Sequence, residues 1–259
     1  MANRKLGKKS PRLDPRTLKI ERYFTSTLPA PPPRVDWSRG FNFNWGMMLN
    51  GPSSNPIVPD GVGDCTEAKK GHAVQVWTIC NGRMVTVPDS VVLAAYEADG
   101  GYVPGDPSTD NGEDMLTNLN DWRQNGFGGN ALSAFAAIDY TNFASVAQSI
   151  YLFGLVDMGF NVPQSAMDQN AQGQIWDVVP NDGGIVGGHD VVVPMYDSTS
   201  HTLTCLTWGM RQQMTWAFFQ KYVDESYALL APDWLQRGGI DPSGFNMAAL
   251  EADLAAVTA

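Results

Sequence analysis

Cysteine is scarce in this chain: Cys65, Cys80 and Cys205 are the full set among 259 residues. Three thiols cannot all pair with one another, so at least one is free or pairs outside the chain, and a small secreted disulfide scaffold is excluded. Histidine is equally scarce (His72, His189 and His201), and no two Cys or His stand at zinc-ligand spacing. No apolar run approaches the roughly 20 residues of a membrane-spanning helix. The basic N-terminus, MANRKLGKKSPRLDPRTLK, lacks the apolar stretch of a secretory signal. The expectation is a chain made in the cytoplasm and used at full length. There is no internal repeat.

What the chain has is a composition of 43% hydrophobic and 17% charged residues, enough for a substantial core in one large domain or two lobes. Its net charge of −10 conceals a split. Residues 1–40 hold ten Lys/Arg against three Asp/Glu, and residues 41–259 hold seven against twenty-four. Such a basic segment either folds against its own acidic domain or docks on an acidic partner. It has few aromatics and no nucleic-acid motif, which argues against a nucleic-acid partner.

Residues 1–34 end in TLPAPPPR, a run that favours extended polyproline geometry, and so read as an arm laid over a surface or loose in solvent. Residues 50–63, NGPSSNPIVPDGVG, form a loop. Asp64 and Glu67 then make a capping-box pattern, and Cys65, Ala68, His72, Val76 and Ile79 recur at helical spacing. Further helices are expected at 88–98, 112–125, 142–153, 164–172 and 214–223, and a last amphipathic one over 246–258. HDVVVPMY (189–196) and TLTCLTW (202–208) read as a hairpin, with a short strand near 227–230. Helices first and hairpins later predict an α+β domain over 35–259, with its helical part at about 64–175 and its antiparallel sheet at about 185–235.

Chemistry centres on Cys65. A thiol at a helix N-terminus gains nucleophilicity from the aligned backbone dipoles, and Gly61 and Gly63 allow close backbone approach. A buried, inert cysteine is the competing account. Of the histidines, His72 lies seven residues along the same helix, about 10 Å away, and cannot reach the thiol. His201 sits in a polar turn. His189 begins an apolar strand after GGIVGG, where a general base would stand. The stripe Trp208, Trp216, Phe218, Phe219 and Tyr222 reads mainly as core, with Trp208 the member placed near His189. Asp110, Glu113 and Asp114 read as a capping and solvated cluster, and Asp224 and Glu225 have no partner that the sequence identifies.

PPPRVDWSRG, GDCTEAKKGHAVQVW, DNGEDMLTNLNDWRQNG, GGHDVVVPMY and TCLTWG, in that order, resemble papain-family cysteine peptidases, and are similar to papain-like proteins of tailed phages and prophages. The resemblance spans roughly residues 33–230. It implies a papain-like fold with a helical lobe and a sheet lobe, Cys65 as nucleophile, His189 as base, a peptide or other amide substrate and no cofactor. Two positions depart from the pattern: Pro59 stands where the family has an oxyanion-binding Gln, and Leu206 where it has the Asn that orients the histidine. Asn50 and Asn55 are candidate oxyanion donors, and Thr207 and Asp190 candidate orienting groups, although Asp190 should point to the opposite strand face from His189. Two functions follow: an active thiol hydrolase, or a catalytically retired virion protein (a capsid or tail decoration) that binds other virion proteins through residues 1–34.

Overall fold

The computed structural model describes residues 4–26, 28–39, 61–235 and 245–258. Among them are eight α-helices and a seven-stranded antiparallel sheet. The strands are β1 (Arg34–Asp36), β2 (Ala134–Ala137), β3 (Val156–Pro163), β4 (Ile185–Asp197), β5 (Thr202–Thr207), β6 (Met210–Thr215) and β7 (Val223–Leu230). They lie in the order β2-β7-β3-β4-β5-β6, and β1 pairs with β4. No described helix is long and apolar enough to cross a membrane.

The first helix, α1 (Cys65–Cys80), is buried on every side from Cys65 to Thr78 and packs on β4. Its expected capping box does not form. The Asp64 carbonyl accepts from the amides of Glu67 and Ala68, but its side chain makes no cap, and the Glu67 carboxylate turns inward to Lys70. Helix α2 (Asp89–Asp99) covers α1. Helix α3 begins at Met115, not at 112, because the Asp114 side chain accepts from the Thr117 amide at 2.9 Å and fixes the start there. It ends at Asn125, and α4 (Phe143–Phe153), α5 (Gln164–Ala171), α6 (Trp216–Tyr222), α7 (Pro232–Leu235) and α8 (Met247–Thr258) follow.

Period-two alternation along β4 divides the core. Val191 and Val193 face a cluster with Phe160, Trp176 and Phe218, while Val192 faces the cluster built on Trp77 and Trp122 of the helical lobe. Each fully buried large side chain contributes roughly 1.5–3 kcal/mol over its exposed state. The segment expected as an arm is partly core: Leu18, Ile20 and Tyr23 are buried in the first cluster, and Arg34–Asp36 pairs with Met195–Asp197.

Candidate active site

Cys65 is the first residue of α1, with no exposed surface. The helix terminus favours a thiolate, but burial outweighs it and pushes the thiol pKa far above its ordinary value, with the charge of Asp190 adding to the rise. The backbones of Asp190 and Gly7 act the other way, favouring the thiolate, but less than burial opposes it. Cys65 thus heads the helix that packs on β4, the strand that carries His189.

His189 is likewise fully buried, on β4. Its Nε2 is 2.7 Å from Thr207 Oγ1 at the end of β5, and its ring stacks on Trp208 with centroids 4.7 Å apart and planes at 15°. The edge of Phe160 closes another side. Nδ1 has no hydrogen-bond partner among the described residues. Burial, followed by the charges of His72 and Arg4, holds the imidazole pKa down to about 3. Both groups are thus neutral in this conformation.

Of the candidate orienting groups, Thr207 is on the imidazole and Asp190 is not. Asp190 points to the opposite face, where its carboxylate lies 3.1 Å from Lys69 Nζ. This corrects the suggestion that it could orient His189. The cause is strand alternation: consecutive side chains leave a strand on opposite faces. Leu206 is buried in register with Val192, on the helical-lobe side. Asn50, Asn55 and Pro59 lie outside the described residues. His72 is buried in α1, and His201 is exposed in a turn with φ of 53°.

Residues 4–9 run through the site. The Lys8 amide donates to Gly188 O (3.0 Å), the Glu113 amide to Gly7 O (2.8 Å) and the Lys9 amide to Glu113 O (2.8 Å). Lys8 and Glu113 form a parallel bridge. Arg4 lies 5.4 Å over the Trp208 ring and donates to its carbonyl. The approach is close enough to require glycine: a Cβ on Gly7 would fall 1.6 Å from Gly63 O. The basic segment is therefore neither loose nor confined to an outer surface. An open cavity of about 350 Å³, lined by Arg12, Arg16, Arg123 and Leu254 among others, lies elsewhere and includes neither Cys65 nor His189.

Beneath Gly7, Glu113 is buried, contrary to the solvated cluster expected from sequence. Thr66 Oγ1 donates to it, and carboxylate oxygens of Glu67, Asp99 and Glu113 lie within 4.8 Å of one another. Lys70 is 2.9 Å from Glu67 and 3.6 Å from Asp99. Burial, then the charge of Glu67, pushes Glu113 up to about 8 from its usual 4.5, and the same two causes push Asp99 up to about 6. A carboxyl raised on folding gives stability that is complete below its unfolded pKa and lost as pH rises through the folded one. Urea midpoints should therefore fall between pH 5 and pH 8.5, and Glu113→Gln should flatten that fall. Equal slopes in the two proteins would contradict the assignment.

No protein-family model matches the chain, and no curated protein matches it in sequence. Solved structures do. Xylellain, a cysteine protease from Xylella fastidiosa, superposes with a TM-score of 0.62 over 89% of this chain and 98% of that one, at 14% identity. The fold is papain-like. A digestive procathepsin L 3 from the larval midgut of Tenebrio molitor superposes with a TM-score of 0.55, over 86% of this chain and 75% of that one, at 12% identity. At such identities the likeness establishes the papain-like architecture, mixed helix and antiparallel sheet, and the chemistry has to be argued from the residues.

Proposed function

We propose that this papain-like chain is a thiol hydrolase of peptide or other amide bonds, held latent here by residues 4–9. The observation that carries the reading is the seat of His189. Thr207 Oγ1 meets Nε2 while Nδ1 has no partner among the described residues; with the ring proton at Nε2 donated to Thr207, the Nδ1 lone pair is free to act as a base. Trp208 and Phe160 hold the ring plane. Thr207 thereby supplies, from one position further along the strand, the orienting contact that Leu206 cannot.

In the proposed reaction the Cys65 sulfur attacks the carbonyl carbon and His189 Nδ1 receives the thiol proton. The oxyanion is met by the Cys65 backbone N–H at the head of α1. Collapse breaks the C–N bond, His189 returns the proton to the departing amine, and water then hydrolyses the thioester with His189 as base. Residues 4–9 prevent this. Gly7 packs on Gly63, two residues ahead of Cys65, and its carbonyl is tied to the Glu113 amide, so the segment covers the thiol without offering that carbonyl for attack. The virion reading is not carried further. The head of the segment it assigns to a virion surface is held in this chain's own cleft, and neither solved structure above is described as a virion protein.

The test is the pH dependence of Cys65 alkylation by iodoacetamide in the full chain. In the unmodified chain Cys65 should react slowly. With Gly7→Ala, which displaces residues 4–9, a reactive thiolate titrating below the free-thiol value of about 8.5 is expected, with His189→Ala on that background removing the low-pH reactivity and Thr207→Val diminishing it by roughly tenfold. A profile unchanged by His189→Ala ends the hydrolase reading.

A further inference from the structure

Asp224 and Glu225 at the start of β7, which the sequence left without partners, form the floor of a pocket filled by Lys8. The Lys8 side chain is 1% exposed. Its Nζ lies 2.9 and 3.2 Å from the two Asp224 oxygens, 3.1 Å from Glu225 Oε1 and 3.0 Å from the Lys9 carbonyl. Both carboxylates are also held by other groups. Asn161 Nδ2 donates to Asp224 at 3.1 Å, and the Tyr227 hydroxyl donates to Glu225 at 3.0 Å. The stem of the lysine occupies space left by a missing side chain: a Cβ on Gly159 would fall 2.2 Å from Lys8 Cε and 2.3 Å from Met115 Sδ.

We infer that this is the specificity pocket of the cleft, and that it selects a substrate carrying a basic side chain, lysine or arginine, within three residues of the bond to be cut. The inference rests on the hydrolase reading for the word substrate. Two geometric facts tie the pocket to the reacting atoms. The residue before Lys8 packs on Gly63, two residues ahead of Cys65, and Lys8 itself hangs by its amide from Gly188, the neighbour of His189. Any extended chain that replaces residues 4–9 on the Gly188 carbonyl therefore offers a side chain to the same pocket. When Lys8 leaves, two largely buried carboxylates, with Asp224 20% and Glu225 7% exposed, are left without their ammonium. A neutral side chain leaves them so, whereas an ammonium or guanidinium restores a cation to both carboxylates. Lys8 is then a stand-in for the substrate residue, and the same carboxylates serve latency and selection.

The experiment uses the full chain carrying Lys8→Ala and peptidyl chloromethyl ketones that alkylate Cys65. One lysine is scanned through the three residues before the electrophile, each probe against its norleucine twin. At one position the lysine probe should label on the order of 100-fold faster than norleucine, and Asp224→Asn with Glu225→Gln should bring that ratio close to one. Equal rates for lysine and norleucine at every position overturn the pocket, and this comparison needs no substitution in β7. If the rates are equal while iodoacetamide still distinguishes His189→Ala, the pocket fails and the hydrolase stands. If iodoacetamide ignores His189, the hydrolase reading fails, and a lysine preference at Cys65 would remain as a binding property of the pocket.

Discussion

Gly7→Ala is expected to raise the alkylation rate of Cys65 at pH 7 on the order of 10³-fold over the unmodified chain, by expelling residues 4–9. The clash is between main chains: the added Cβ would fall 1.6 Å from Gly63 O and 2.4 Å from its carbonyl carbon, and neither can swing aside as a side-chain tip would. Expulsion breaks the three backbone bonds to Gly188 and Glu113, each contributing about 0.5–1.5 kcal/mol net, together with the Lys8 pairs. A bias of roughly 4 kcal/mol toward the closed state corresponds to the stated factor at 1.4 kcal/mol per decade. Reactivity of the exposed pair should also change in kind. The rise at Cys65 and the fall at His189 both have burial as their first cause. Admitting water moves the two values toward each other, and thiolate-imidazolium becomes accessible. Mass spectrometry of the alkylated peptides checks this directly, with buried Cys205 as the internal standard that should stay slow. If Gly7→Ala left Cys65 as unreactive as Cys205, the closed cleft could not be the cause of latency.

Much of this site was legible before any coordinates. Cys65 at a helix head and Thr207 on the returning strand depend on short-range patterns that periodicity exposes. His189, however, stands inside β4, which begins at Ile185 and not at 189, and Trp208 lies just past β5 in a turn with φ of 46°. Of the strands that went unread, β3 and β6 break the pattern for a reason the fold supplies. In β3 an aspartate sits at a fully buried position, which composition alone would refuse, because Lys69 from α1 meets it there. In β6 the run MRQQMT looks like a solvated turn, yet Gln212 is buried because Asn170 donates to its side-chain carbonyl at 2.9 Å. The path of residues 4–9 was hidden for a different reason. It depends on glycine meeting glycine across 56 residues of sequence, Gly7 on Gly63, and on one lysine meeting two acids more than 200 residues away. Such contacts carry no spacing signal. What the sequence did show was their electrostatic sum, a basic head on an acidic body.

Lys69→Met should cost about 3–5 kcal/mol of unfolding free energy at pH 7, the usual penalty for removing one partner of a buried ion pair. Lys69, Asp157 and Asp190 have no exposed side-chain surface, and Lys69 Nζ contacts both carboxylates. Burial alone would neutralise the lysine, but the charges of Asp157 and Asp190 outweigh it and raise its pKa. The Asp190 carboxyl is pushed well above its ordinary value by burial and then by Asp157, so the triad already holds one more acid than it neutralises. Methionine keeps the volume of the stem and removes the cation, so both acids lose their counter-charge. Urea unfolding should then show a steep dependence on pH. Carboxyls whose folded values lie above the unfolded ones give stability that is complete below about pH 4 and lost as pH rises through the folded values. The variant should recover at acid pH and weaken toward neutrality, and adding Asp157→Asn and Asp190→Asn should restore most of the loss at pH 7. A stability unchanged by Lys69→Met would refute the buried pair. The position of the triad makes the result matter for chemistry as well. Lys69 lies one helical turn below Cys65, and Asp190 adjoins His189 on β4, so this pair fastens the helix that carries the thiol to the strand that carries the imidazole. A variant that survives as a folded protein at acid pH should therefore also lose the His189-dependent part of Cys65 alkylation, because the two groups are no longer held in register.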